Sequence, residues 1–247
     1  MWARVDQWLQ FSDKWDECLN EEPKLAYFKM HEADKRIKQF DGWSKATRNA
    51  KVEKLAEIID EYAFRAVNIT YSVEGLQAFL LPRPEGAGSW PLDKPYFWAF
   101  HQYIKAACFE LFDIGVGEPC EIVFDEQVQM AAKVKAWYRA MLFAIPQPIR
   151  ALAPMEPLFR DDKEFRPLQA ADMLAWLQRR NAASIPHDFA WLQEKFKTLR
   201  YSRYSIMPGF VVAPEMTAIL ELTPEERIEF VKEMWKLETF HYGRNGG

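Results

Sequence analysis

The amino-acid sequence predicts an α/β fold, in which helices and short strands alternate along the chain. Apolar residues recur at helical spacing over 45–62 and again over 95–113. Residues 65–73 instead alternate, with Val, Ile and Tyr on one side and small or polar residues on the other, which is typical of a strand. The run CEIVFDE at 120–126 follows the turn-forming stretch GVGEP and predicts another strand.

The first half of the chain begins with a predicted helix over residues 2–19, where apolar side chains lie roughly at helical spacing. The stretch LAYFKMH at 25–31 is expected to be extended. Ser44, in the turn DGWS, is placed to cap the helix that follows it. Pro95 suits the first turn of the next long helix.

The second half is predicted from its prolines and its apolar spacing. Pro167 fits the first turn of the helix within EFRPLQAADMLAWLQRR. The stretch TPEE is a capping box for the last helix. In chain order we predict a helix over about 128–143, a short strand near 149–153, the helix that contains Asp172, a helix near 188–199, partly extended residues after it, and a last helix to about Thr239.

Composition excludes several classes of protein. The 247 residues are 49% hydrophobic, which is ample for a core, and the net charge of −4 argues against nucleic-acid binding through bulk positive charge. The three cysteines are widely spaced, which argues against a disulfide framework or a zinc site. Charges recur at the N-terminus, and no stretch is apolar for long enough to cross a bilayer, so we expect a cytoplasmic protein with no membrane partner.

Two acidic positions are candidates for chemistry. Asp172 lies in an apolar helix, where an unpaired carboxylate is costly to bury. A hydrogen bond from Gln169, which shares its helix face, or from a backbone group explains Asp172 as well as a functional role does. Asp125 and Glu126 close the predicted strand VFDE, at the end where α/β sheets form sites. Capping of the next helix is the alternative for Asp125.

A strand-end carboxylate and a helix carboxylate together suit a hard divalent cation. Mg²⁺ and Mn²⁺ prefer oxygen ligands, and such ions can stabilise the attacking and leaving oxygens of a phosphodiester. We therefore expect Asp125 and Asp172 to be catalytic residues and metal ligands, with Glu126 as a candidate third catalytic group. The two aspartates are far apart along the chain, so this expectation requires that folding bring them together.

The stretches PLQAADMLAW, IVFDE and FKMHEADKRIKQFDGWS resemble the domain of unknown function 3800 family. The resemblance covers roughly residues 1–195 and leaves 196–247 as a C-terminal extension with a terminal helix. It implies a ribonuclease H-like mixed sheet flanked by helices, and a metal-dependent nuclease. It also matches Asp172 to the family's helix aspartate and Asp125 to its strand-end acid, with Glu126 and His31 as less specific partners.

One motif of that family is missing. Its members usually begin with a strand carrying Asp-Glu-Ser-Gly, whose aspartate is the first metal ligand, and then a second strand. This sequence begins MWARVDQW and contains no such motif. The resemblance therefore implies a truncated or degenerate member that lacks two strands and is weak or inactive as a nuclease. The alternative is a non-catalytic scaffold that binds nucleic acid, or a partner chain that covers the exposed sheet edges.

Overall fold

The structure is a computed structural model of mixed α/β architecture, with helices and small parallel sheets. It describes residues 1–63, 65–71, 95–126, 147–196 and 199–206, together with Ala131, Ala132, Val134, Lys135, Tyr138, Leu142 and Ile145. Among these residues, no helix combines the length and the apolar character that crossing a membrane requires.

The helices of the described part are α1 (Val5–Asn20), α2 (Met30–Lys35), α3 (Lys45–Tyr62), α4 (Pro95–Asp113) and α5 (Arg166–Ala182). The strands are β1 (Arg65–Tyr71), β2 (Val123–Asp125), β3 (Leu158–Arg160) and β4 (Arg200–Ile206). Short 3-10 helices cover Lys38–Phe40, Ile149–Leu152 and Ala190–Lys195.

The described strands form two parallel pairs. Strand β1 pairs with β4, with Arg65 opposite Arg200, and strand β2 pairs with β3, with Asp125 opposite Arg160. Trp2 forms an isolated antiparallel bridge with Arg65, and its N–H donates to the Arg65 carbonyl at 2.8 Å. Because each pair is parallel, the carboxyl ends of its two strands meet at one edge.

Two hydrophobic clusters form the core. The first joins α1, α2, α3 and α5, and its members include Phe11, Trp15, Met30, Leu55, Ile59, Met173 and Leu177. The second packs α4 against the strands, and its members include Val67, Phe100, Ile104, Leu111, Ile122 and Phe159. The apolar residues of α3 thus form a buried face in the first cluster, and those of α4 form a buried face in the second.

Several elements agree with the prediction from sequence. Helix α3 begins after Ser44, whose hydroxyl oxygen accepts the backbone N–H of Thr47 at 3.0 Å. Helix α4 begins at Pro95, and β1 begins at Arg65, as expected. In the predicted helix over 128–143, Ala131, Ala132, Val134, Lys135, Tyr138 and Leu142 are helical, and its other residues lie outside the described part.

The expected strand near 149–153 is wrong. Ile149–Leu152 forms a 3-10 helix instead. Pro148 adopts a helical backbone conformation, and its carbonyl accepts the N–H of Ala151 at 3.0 Å, which starts a tight turn. Proline suits this position because its ring already fixes φ near the helical value.

The predicted helix near 188–199 is shorter than expected and of a different type. Ala190–Lys195 is a 3-10 helix. The N–H of Leu199 donates to the Asp60 carboxylate of α3 at 2.9 Å, and the strand β4 follows directly. This hydrogen bond fixes the backbone of Leu199 against α3, directly before β4 begins at Arg200.

Two N-terminal expectations also change. The predicted helix over 2–19 includes Trp2, but Trp2 lies in the bridge to β1 and α1 begins after it. The stretch 25–31 is non-helical only as far as Lys29, because Met30 begins α2.

The predicted domain boundary separates β4 from the strand with which it pairs. Strand β4 belongs to the segment 196–247, but its ladder partner is β1, and Leu199 packs in the first hydrophobic cluster. The capping box TPEE and the predicted last helix lie outside the described residues. The boundary after residue 195 therefore stays a prediction.

Candidate functional site

Strands β2 and β3 end side by side, and acidic residues stand at both ends. Asp125 is the last residue of β2, and Asp161 and Asp162 come directly after β3. The N–H of Glu126 donates to the carbonyl of Arg160 at 2.9 Å, so the pairing continues past Asp125. Two acidic segments that are distant in sequence therefore share one edge, the edge at which α/β sheets commonly form sites.

Helix α5 brings Asp172 to this edge by way of the segment that leads into α2. The Asp172 Oδ2 atom accepts the backbone N–H of Met30 at 2.9 Å. Because Met30 is the first residue of α2, this bond satisfies one of the amide groups that every helix start leaves unpaired. The Nζ atom of Lys29 lies 2.5 Å from Asp162 Oδ2. The dipeptide Lys29–Met30 thus connects Asp162 with Asp172.

The charge of Lys29 acts on three carboxylates. Burial lowers the pKa of the Lys29 ammonium, but its hydrogen bond with Asp162 and the negative charges around it raise the pKa overall. Those charges belong to Asp162, Asp125 and Asp172. We call these four residues the acid cluster. Its carboxylates outnumber its ammonium group, so the cluster carries excess negative charge when all four groups are ionised.

The pKa of the Asp172 carboxyl is raised, chiefly because burial removes it from water. The N–H of Met30 and the Lys29 ammonium favour the ionised form and oppose this shift, whereas the charge of Asp162 adds to it. His31 is exposed and also favours the ionised form of Asp172. His31 therefore lies within electrostatic reach of one of the two predicted metal ligands.

The pKa of the Asp125 carboxyl is raised as well. Partial removal from water is the main cause, although the residue as a whole is exposed, and repulsion by Asp162 is the second. The Lys29 ammonium opposes the shift. Two carboxyl groups that lose their proton less readily than an ordinary aspartate, at one sheet edge, are typical of a functional site.

The oxygen donors of the acid cluster suit a hard divalent cation such as Mg²⁺ or Mn²⁺. Their arrangement is incomplete, because no set of three His, Cys, Asp or Glu side chains in the described part lies close enough to hold one ion. Asp162, the third carboxylate, is paired with Lys29. The residues present therefore fit the chemistry of the ion but do not form a closed metal site.

Glu126, the predicted third catalytic group, reaches the acid cluster through its backbone and has an exposed side chain. Its backbone N–H is hydrogen-bonded to the Asp125 carboxyl and lowers the pKa of that group. Successive residues of an extended chain point to opposite sides, so Glu126 and Asp125 are not expected to face the same ligand.

Gln169, one turn before Asp172, has a different role. Its side chain is fully buried, and its Oε1 atom accepts the indole N–H of Trp15 and the backbone N–H of Phe28, both at 2.9 Å. Its Nε2 group donates to the carbonyls of residues 162 and 163 at 2.9 and 3.1 Å. Gln169 therefore does not pair with Asp172, which instead accepts a backbone N–H from a distant segment.

Two members of the acid cluster were not predicted from sequence. Asp162 follows β3, and that strand has only three residues, too few to show periodicity. Lys29 stands between the buried residues Phe28 and Met30 in extended chain, a pattern that predicts an outward-facing side chain. Nothing local indicates that its ammonium group reaches Asp162.

Comparisons of the chain with protein-family models, with curated proteins and with solved structures give no match. No family is shown. The resemblance to the domain of unknown function 3800 family stays a prediction from sequence, and the acid cluster is defined by the contacts and charges within this chain.

Proposed function

We propose that this chain is a cytoplasmic member of a metal-dependent nuclease lineage with a ribonuclease H-like sheet. In this proposal these 247 residues by themselves hydrolyse phosphodiesters weakly or not at all, because they contain no Asp-Glu-Ser-Gly motif to supply the first carboxylate ligand. The supporting observation is that Asp125 and Asp172, distant in sequence, both lie within the electrostatic reach of Lys29 at the carboxyl edge of β2 and β3. Carboxylate oxygens at that edge are the ligands that Mg²⁺ and Mn²⁺ prefer.

Each residue has a defined part in this proposal. Asp125 and Asp172 would hold the ion, and a bound divalent ion supplies an activated water and stabilises charge on the phosphate. The N–H of Met30 orients the Asp172 carboxylate, since it fixes one of its two oxygens. The ladder between β2 and β3 fixes the backbone of Asp125.

Binding of Mn²⁺ to the full chain tests the proposal directly. We expect either Asp125→Ala or Asp172→Ala to raise the Kd for Mn²⁺ by at least about tenfold, roughly 1.4 kcal/mol of binding free energy. Asp13→Ala is the matched control, because Asp13 is an exposed carboxylate on α1 and is not a member of the acid cluster. Electron paramagnetic resonance of free Mn²⁺ measures the Kd. A Kd that is the same in the wild type and in both variants would contradict the proposal.

Cleavage provides the second test. A chain preceded by the two strands of the resembled family, including their Asp-Glu-Ser-Gly motif, is expected to cleave nucleic acid with Mn²⁺. Asp172→Asn should abolish that cleavage while keeping an oxygen acceptor for the N–H of Met30. Equal cleavage by the Asp172→Asn variant and its parent would contradict the catalytic role of Asp172.

A non-catalytic scaffold is the second candidate, and Lys29 is the observation that favours it. The Lys29 ammonium already balances part of the negative charge of the acid cluster through its ion pair with Asp162. Asp172 already accepts the backbone N–H of Met30. In this candidate the carboxylates hold the loop before α2, and the remaining scaffold would bind nucleic acid, or a partner chain at an exposed strand edge. Absence of Mn²⁺ binding in a folded protein would favour this candidate.

A further inference from the structure

Helix α2 and the turn after it sort their charged side chains by sign. The acidic side chains of Glu32 and Asp34 are only 4% and 11% exposed. The basic side chains of Lys35 and Lys38 are 54% and 65% exposed, and Arg36 is exposed as well. We call Lys35, Arg36 and Lys38 the basic face. The outer surface of this segment is therefore cationic, although its sequence is mixed in charge.

The buried carboxylates do not neutralise the basic face. Asp34 Oδ2 accepts a hydrogen bond from the guanidinium of Arg180 at 3.1 Å and lies 3.7 Å from the Nζ atom of Lys35. One carboxylate is therefore shared by two cations. Glu32 Oε1 lies 2.9 Å from the Nζ atom of Lys38, and this single contact leaves ammonium N–H groups for other acceptors. The segment keeps an excess of positive charge on its exposed side.

The backbone of the basic face adopts a conformation that favours glycine. The φ angles of Arg36 and Lys38 are 49° and 54°. Arg36 follows the last residue of α2, where a left-handed residue is most often glycine, and the N–H of Ile37 closes the helix end by donating to the Glu32 carbonyl at 3.1 Å. Among the described residues, Arg36 has no ion pair that would offset this strain. Backbone strain of this kind concentrates at functional sites.

The basic face borders the acid cluster. Lys38 lies within the electrostatic reach of Lys29. The Tyr27 hydroxyl donates at 3.2 Å to Glu32 Oε1, the same atom that accepts Lys38. The Nζ atom of Lys163 lies over the Tyr27 ring, 5.4 Å from the ring centre, and Lys163 directly follows a carboxylate of the cluster. Cations therefore continue from the edge of β2 and β3 to the turn after α2.

We propose that the basic face binds the phosphodiester backbone of a nucleic-acid strand that reaches the carboxyl edge of β2 and β3. The inference rests on the proposed function, which takes a phosphodiester as its substrate, and it names the surface that holds the strand. Lysine and arginine side chains position a strand by donating to its phosphate oxygens. The net charge of the chain is −4, so only a local surface of this kind attracts a polyanion.

A membrane surface fits the basic face less well. Ile37 is the one apolar residue between Lys35 and Lys38, and it is 40% exposed. Binding in the plane of a membrane requires a continuous apolar face opposite the charged one. The chemistry of this segment therefore favours a polyanion in solution.

Fluorescence anisotropy of a labelled oligothymidylate, titrated with the full chain in EDTA, tests the proposal. The basic-face variant combines Lys35→Gln, Arg36→Gly and Lys38→Gln. The control variant removes the same number of charges from exposed lysines elsewhere that also pair with carboxylates, namely Lys14→Gln, Lys24→Gln and Lys54→Gln. We expect the basic-face variant to raise the Kd by at least about tenfold, and the control variant to raise it by less than about twofold.

The dependence of the Kd on salt provides a second readout. For a single strand, the slope of log Kd against log salt concentration is about 0.7 for each phosphate that the protein neutralises. We therefore expect the slope of the basic-face variant to be smaller than that of the wild type by about 2, and the slope of the control variant to be unchanged.

Arg36→Gly alone separates binding from stability. Glycine adopts a φ of 49° without strain, so we expect the Tm to rise by about 1–2 °C. The Kd for oligothymidylate should nevertheless rise by about threefold, because one phosphate contact is lost. A variant that bound less because it was poorly folded would instead have a lower Tm.

Several results would overturn the proposal. They are absence of binding by the wild type, an unchanged Kd in the basic-face variant, and an equal loss of affinity in the basic-face and control variants. Displacement of oligothymidylate by polyglutamate at equal charge concentration would assign the surface to an acidic peptide instead. Binding to phosphatidylserine–phosphatidylcholine vesicles without binding of oligothymidylate would assign it to a membrane.

The failure of this inference and that of the proposed function are distinguishable. The anisotropy assay contains EDTA, so a negative result there would leave Asp125 and Asp172 as proposed metal ligands. A Mn²⁺ titration that contradicts those ligands would leave the binding of oligothymidylate to the basic face as measured.

Discussion

Gln169 and Asp172 lie one turn apart on α5, and the regions around them are stabilised in different ways. The Gln169 region is neutral, and both ends of the amide are satisfied: the oxygen accepts two N–H groups and the nitrogen donates to two carbonyls. The acid cluster around Asp172 is charged, and its carboxylates outnumber the ammonium of Lys29. The protein itself satisfies the hydrogen-bonding groups of Gln169, whereas the acid cluster around Asp172 keeps negative charge that an added cation could balance.

This difference separates a structural polar residue from a candidate ligand. A buried group with every partner in place gains nothing from an added molecule, because any new contact must break an old one. A set of partly buried carboxylates with excess charge gains from an added cation. The two regions share the same loop before α2, which Gln169 holds at Phe28 and Asp172 holds at Met30. The neutral region therefore fixes the position of the charged one.

The largest predicted effect comes from breaking the neutral region. Gln169→Ala leaves the indole of Trp15, the amide of Phe28 and two carbonyls without their partner. We expect a loss of about 3–5 kcal/mol in the free energy of unfolding, because several buried polar groups lose a hydrogen bond together. Urea unfolding followed by circular dichroism measures it. Gln10→Ala, at an exposed site on α1, is the control, and a similar small loss in both would contradict the assigned role of Gln169.

A smaller effect is predicted for the bond that joins the two regions. Asp172→Ala removes the acceptor for the N–H of Met30, and we expect it to cost about 1–2 kcal/mol of unfolding free energy, the usual worth of a side-chain acceptor at a helix start. Asp172→Asn keeps an acceptor oxygen and should cost much less. Unfolding midpoints of the two variants, compared at pH 7, give the difference. Equal losses would show that the bond to Met30 contributes nothing.

The sequence predicts those elements whose signals are local. The spacing of Val52, Leu55 and Ile59 with the cap at Ser44 defines α3, and all of that information lies within a few turns. Asp172 is also detectable, because a carboxylate in an apolar helix needs an explanation wherever the helix packs. Asp125 is detectable from its place at the end of an apolar strand.

The remainder depends on contacts between distant segments. The ion pair of Lys29 with Asp162 joins residues more than a hundred positions apart, and neither neighbouring sequence carries a motif for it. Strand β3 is visible only through its pairing with β2. Pro148 begins a 3-10 turn where a strand was expected, since its helical backbone favours the turn over extension. Short elements of this kind are decided by tertiary contacts and not by local propensity.

The smallest predicted effect concerns the dependence of stability on pH, which we expect a substitution of Asp125 to change and a substitution of Gln169 to leave unchanged. The folded state raises the pKa of Asp125 above its ordinary value of 3.8, so the folded state binds this proton more readily than the unfolded state. Stability from this group therefore increases as the pH falls through the folded pKa towards 3.8, and its penalty is fully present at neutral pH.

Asp125→Asn removes that penalty, so at pH 7 we expect it to raise the Tm by about 1 °C, a small gain because solvent screens an exposed carboxylate. The gain should shrink as the pH falls through the raised pKa of the folded wild type, because its carboxyl then becomes protonated. Gln169→Ala has no titrating group, so its loss should persist over the same range. Thermal unfolding at pH 7, 5.5 and 4 measures both variants. A lower Tm for Asp125→Asn at pH 7 would mean that Lys29 already compensates Asp125 in full, and that the acid cluster has no charge left for a second cation.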